Sequence, residues 1–110
     1  MTLTDEVREN RRRVVSYLTG NPQGRIQILA NLKDLGNGRC ALGMACEALG
    51  IDVPGRDELD FSLSQEEAYE KCGGMLQFEV DVIWKMNDAL GLSFREIAGK
   101  LEQEWNEEDK

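Results

Sequence analysis

The chain has 110 residues, a net charge of −8, 41% apolar and 31% charged side chains, and no histidine. That length supports one hydrophobic core and excludes a pair of full domains, and no apolar run approaches the roughly 20 residues of a membrane helix. Without histidine there is no Ser-His or Cys-His nucleophile pair, no ordinary general base near neutral pH and no common zinc ligand. An enzyme is therefore disfavoured, and neither a cofactor nor a metal is expected.

Thr4 is placed to cap a first helix over about residues 5–19, with Asp5 and Glu6 in the opening turn, where negative charge is favoured. Val7, Val14, Val15 and Leu18 fall on one side, and Gly20-Asn21-Pro22 stops it. The run Arg25-Ile26-Gln27-Ile28-Leu29-Ala30 alternates briefly and reads as a short strand or a buried irregular segment. Asn37-Gly38 is the strongest hairpin-type dipeptide. Cys40 through Leu49 is small, apolar and almost uncharged, which predicts a central helix approached closely through Ala41, Gly43, Ala45 and Ala48. Residues 51–61 contain Pro54-Gly55 and read as a loop.

Ser64-Gln65-Glu66-Glu67 is a capping-box sequence opening a short helix that is expected to end at Gly73-Gly74. Phe78, Val82, Met86 and Leu90, with Ile83 and Ala89 beside them, mark a helix over about residues 76–89, closed before Gly91. Ser93 with Glu96 is a further capping box, and Phe94, Ile97, Ala98, Leu101 and Trp105 form the apolar stripe of the last helix. The expected fold is mainly α: a single compact domain of about five helices over residues 1–105. One short strand or hairpin is expected near residues 25–39, and an acidic tail over 106–110 is expected to fray.

Charge divides unevenly along the chain. Residues 1–50 hold seven Arg/Lys against five Asp/Glu, a balance of +2, and residues 51–110 hold six against sixteen, a balance of −10. The last two helices imitate the opening of a helix-turn-helix. Yet the segment after them, Gln103-Glu104-Trp105-Asn106-Glu107-Glu108, repels phosphates instead of meeting them. Nucleic acid is a disfavoured partner, a membrane is not expected, and another protein is the expected one. Three cysteines, an odd number, and a start that does not resemble a secretory leader fit a cytoplasmic protein.

Gly38-Arg39-Cys40-Ala41-Leu42-Gly43-Met44-Ala45-Cys46 and Met86-Asn87-Asp88 before Ser93-Phe94-Arg95-Glu96-Ile97-Ala98 form a pattern with Gln23-Gly24-Arg25. It is similar to a family of small, uncharacterised proteins of bacteriophages, prophages and some bacteria. Those carry a Gln-Gly-Arg turn, a Cys-x-Leu-Gly-x-x-Cys helix and Leu-Asn-Asp before Ser-Phe-x-Glu-Ile-Ala. The likeness spans roughly residues 13–105, with Met86 in place of the Leu and Ala41 where members often carry a second cysteine. It implies a compact helical cytosolic protein of mobile-element origin and brings no activity with it.

Few residues offer chemistry. Cys40 opens a helix, where backbone N–H groups favour a thiolate, but it has no histidine beside it and reads equally as a small buried hydrophobe. Cys40 and Cys46 lie about 120° apart around a helix, and with Cys72 they supply too few ligands for a metal. Arg8, Arg11 and Arg12 are helical neighbours that could form a phosphate- or acid-binding face. Asp5 and Glu9 are spaced to pair with this cluster, and one arginine could find a partner in the acidic second half. Asn87 and Asp88 could present an amide and a carboxylate to a ligand, or bind nearby backbone and stop the helix. Trp84 and Trp105 are expected in the core or at its edge, and an exposed indole would signal an interface. The expected function is a small non-enzymatic interaction or regulatory protein. A helix-turn-helix DNA binder and an acidic mimic of nucleic acid that inhibits a host enzyme are the alternatives.

Overall fold

The structure is a computed structural model that describes residues 3–29, 32, 36–51 and 65–108. Its elements are α1 (Asp5–Gly20), β1 (Ile26–Gln27), β2 (Gly38–Arg39), α2 (Ala41–Ala48), α3 (Gln65–Leu76), α4 (Val80–Asp88) and α5 (Phe94–Glu108). The radius of gyration, 13.2 Å, is what a single packed domain of this length requires.

α1 begins where its cap was expected: the Thr4 hydroxyl accepts from the Val7 amide at 3.2 Å. It ends on Asn21, which takes a left-handed conformation and returns its amide to the Tyr17 carbonyl. α5 opens on the reciprocal Ser93–Glu96 box, with bonds of 3.1 and 3.2 Å. Its stripe of Phe94, Ile97, Ala98, Leu101 and Trp105 is buried throughout. Burial of each large member contributes about 1.5–3 kcal/mol. α1 and α5 run antiparallel, because Arg11 meets Glu108 at one end and Arg95 reaches the Thr19 carbonyl at the other.

The centre is α2. Leu42, Met44, Ala45 and Cys46 are wholly inaccessible to solvent. At Gly43 the Leu32 backbone comes so close that a Cβ would stand 1.8 Å from its carbonyl oxygen. Only glycine fits there without moving one of the two segments.

Three boundaries differ from expectation. The extended pieces pair in parallel, Ile26 opposite Gly38 and Gln27 opposite Arg39, so no hairpin forms. Gly38 lies within β2 itself, and Asn37 is engaged at the start of β1, donating to the Gly24 carbonyl and accepting from Arg25. α3 continues through Gly73-Gly74 to Leu76 and turns at Gln77, whose φ is +48°. The Phe78 amide bonds back to the Gly73 carbonyl and the Gln77 amide to that of Gly74, so the glycines belong to the closing turn. A Cβ at Gly73 would lie 3.2 Å from the Phe78 carbonyl oxygen. α4 therefore starts at Val80, and its buried line is Ile83, Met86 and Asn87, with Leu90 in solvent.

The last helix runs to Glu108, past the expected start of fraying at residue 106, because Glu108 meets Arg11. The Ser64 capping residue and the loop over 52–61 lie outside the described residues. Among those described, no helix is long and apolar enough to cross a membrane.

Candidate interaction groove

The α1 residues 8, 11, 12, 15 and 16 fall on one face at helical spacing, and that face turns toward α5. Arg11 is inside. Its Nε donates to the Leu76 carbonyl and Nη2 to the Gln77 carbonyl, both at 2.8 Å, and the remaining reach goes to Glu108 at 3.3 Å. Asn10 adds a bond to the Met75 carbonyl. The pair thus satisfies carbonyls that the end of α3 leaves free. The Arg11 guanidinium also lies 5.2 Å from the Trp105 ring centroid, and Phe78 meets the same indole edge-on at 5.3 Å.

Arg8 and Arg12 stay at the surface. Arg8 pairs with Asp5 at 3.3 Å and Arg12 with Glu9 at 2.7 Å; Arg13 approaches Glu9 at 3.8 Å. These are the local pairs expected from the spacing, and exposed pairs of this kind contribute less than about 1 kcal/mol. Between α1 and α5 the surface opens into a groove of about 340 Å³. Leu3, Val15 and Trp105 supply its apolar floor, Arg8 and Arg12 one wall, Glu102 and Asn106 the other. Among the described residues the Trp105 Nε1 is a buried donor with no acceptor.

Asn87 and Asp88 sit elsewhere. Asn87 is fully buried, its Oδ1 accepting from the Ala41 amide at 3.0 Å and from the Gln27 side chain at 2.7 Å. Its Nδ2 donates to the Ile28 carbonyl and to Asp88. Gln27 continues to the Leu92 carbonyl. The amide therefore joins β1, the first turn of α2 and the α4–α5 turn, and it faces the chain instead of solvent.

No family model, curated protein or solved structure matches this chain.

One polar cluster escaped the sequence reading. Glu47 on α2 accepts from the Tyr17 hydroxyl at 2.6 Å and from Arg25 through both oxygens, with Arg39 at 3.7 Å. Burial pushes the Glu47 carboxyl up, but the hydrogen bonds from Arg25 and Tyr17 outweigh it and leave the group below the usual carboxylate range. Burial and the bond to Glu47 push the Tyr17 phenol up to about 12. Four separate segments meet here at residues 17, 25, 39 and 47, and no local spacing in the sequence announces it.

The thiols are inward-facing. Cys40 caps α2 by accepting from the Gly43 amide at 3.3 Å, yet burial outweighs that bond and pushes its thiol up. Cys46 is hydrogen-bonded to Cys72 of α3, and that bond and burial push it far above the ordinary range. All three are free and buried, and among the described residues no cluster could hold a metal.

Proposed function

We propose that this chain is a small, non-enzymatic protein-interaction or regulatory protein and that the α1–α5 groove is its contact surface. One observation carries this: Arg8 and Arg12, whose ion pairs are solvent-exposed, stand over an apolar floor of Leu3, Val15 and Trp105. Turning either guanidinium toward a partner sacrifices little, and a carboxylate entering beside an apolar group would gain both charge and burial. The buried Trp105 N–H adds a donor that lacks an acceptor, a cost of about 1–3 kcal/mol that an incoming oxygen would relieve.

The other polar groups are already employed within the fold: Arg11 on α3, Asn87 on β1 and α2, Glu47 on Tyr17 and Arg25. Three buried free thiols suit work in a reducing cytoplasm, and the likeness to small phage and prophage proteins extends the reading to a mobile-element origin. Duplex DNA is a poor candidate, since the exposed side of α5 carries Glu96, Glu102, Glu104, Glu107 and Glu108.

The test is affinity capture from the native host with the wild type and with Arg8→Glu/Arg12→Glu. A partner held by the wild type and lost by the double variant is expected. Repeated capture of nothing specific, or equal retention by both, sinks the reading.

A further inference from the structure

α4 carries the one aromatic side chain exposed among the described residues. Trp84 is 39% accessible, where the other aromatic rings are buried or half-buried. Asp81 stands one turn before it and Asp88 one turn after, and on a helix both neighbour the indole on the same side. The ridge is therefore an apolar knob bordered by carboxylates about 10 Å apart along the axis. Large aromatic side chains left in solvent are the commonest anchors of protein contacts.

The α1–α5 groove is its chemical complement. An indole fits within about 340 Å³ over a floor of Leu3, Val15 and Trp105. The wall made by Arg8 and Arg12 spaces two guanidinium stems about 6 Å apart along α1, within reach of carboxylates spaced like Asp81 and Asp88. The opposite wall carries Glu102, which suits Lys85, the ammonium on the far side of the same ridge. Within one chain the two cannot meet: α4 packs chiefly on α2, α3 and α5, and α1 stands beyond them.

We propose that the groove receives the Asp81–Trp84 ridge of a second copy of this chain. The assignment presupposes the groove as a contact surface and adds what fills it. The patches are unlike, so two copies close only by exchanging ridges about a two-fold axis; otherwise the contact propagates head to tail. A knob and groove of this size bury less than the roughly 800 Å² per partner of a standard interface, and the net charge of −8 repels like copies. The association is consequently weak and is best read near 0.15 M salt. There a Debye length of about 8 Å suppresses the long-range repulsion and spares the close pairs.

Sedimentation of the full chain from roughly 10 μM to roughly 1 mM tests it, a range that spans weak affinities. The average mass should rise above the 12.4 kDa monomer. Trp84→Ala and Arg12→Glu should each weaken association about tenfold or more, one tenfold step being about 1.4 kcal/mol. Combining Arg12→Glu with Asp81→Arg in one chain should restore most of it, because the exchanged charges face each other again between copies. If Trp84→Ala shifts thermal unfolding, Asp81→Arg alone takes its place. A monomer over the whole range overturns the proposal, as does association that both variants leave unchanged or that the double exchange fails to restore. A monomer whose Arg8→Glu/Arg12→Glu form still loses a host partner would overturn only the second copy. Loss of that partner dependence as well would remove the groove itself.

Discussion

Asn87 and Arg11 perform the same task in different surroundings. Each is a buried polar side chain that gathers backbone groups left unpaired where elements end: the Ala41 amide and Ile28 carbonyl for Asn87, the Leu76 and Gln77 carbonyls for Arg11. Asn87 is neutral and closed off from water. Arg11 is charged, leans on a half-exposed Glu108 and underlies a groove whose rim is open. A neutral amide satisfied on both sides fixes structure and has nothing left to offer. A cation whose own bonds point inward, with further cations above it at the surface, holds a fold together and leaves an electrostatic face for something else.

The comparison can be broken most sharply at Asn87. Asn87→Ala leaves the Ala41 amide, the Gln27 side chain and the Ile28 carbonyl without that partner, and an expected loss of about 3 kcal/mol should appear in urea unfolding. The loss should be the same at low and high salt. Marked salt dependence would mean that charge, not hydrogen bonding, governs the junction.

Arg11→Met should cost about 2–3 kcal/mol in the same measurement, and Arg11→Lys should recover little of it. An ammonium has no planar fork to reach two successive carbonyls and Glu108 together. Full stability in Arg11→Lys would show that the positive charge suffices.

Glu47→Gln sharpens the contrast through pH. The Glu47 carboxyl is held below its usual range, so its contribution is complete above the unfolded value of about 4.3 and is lost as pH falls through the folded one. Wild type should exceed the variant by about 1–2 kcal/mol at neutral pH, and the gap should close in acid below about pH 4. A gap that persists there would assign the stability to packing. Smallest of all, Arg12→Glu should change stability by less than about 0.5 kcal/mol, since its pair with Glu9 is exposed. A larger loss would make Arg12 a structural residue and weaken the groove as a contact surface.

Local signals proved legible where a few neighbouring residues determine the outcome. The Thr4 cap, the Ser93–Glu96 box and the stripe from Phe94 to Trp105 each depend on contacts within a helix or on one repeating face. The pairs of Arg8 and Arg12 with Asp5 and Glu9 follow the same rule. Asn37-Gly38 and Gly73-Gly74 misled for a common reason. Both have local turn chemistry, and in both the decisive contact is with a particular backbone nearby in space: Gly24 for Asn37, the Phe78 carbonyl for Gly73. The Phe78–Leu90 stripe failed because Asn87 ranks as polar in any periodicity, while its hydrogen bonds turn that side of α4 inward and leave Leu90 outside.

By itself the sequence determined a mainly helical domain built around an uncharged, small-residue α2, because helix periodicity and capping are short-range and the Cys40–Leu49 stretch has almost nothing to offer water. It also set the cationic face of α1. Only the tertiary structure decided which arginine of that face turned inward, which thiol met which, and that Tyr17, Arg25, Arg39 and Glu47 converge. Such choices join residues up to 97 positions apart. Their free energies depend on which groups lose water together, and no local spacing records that.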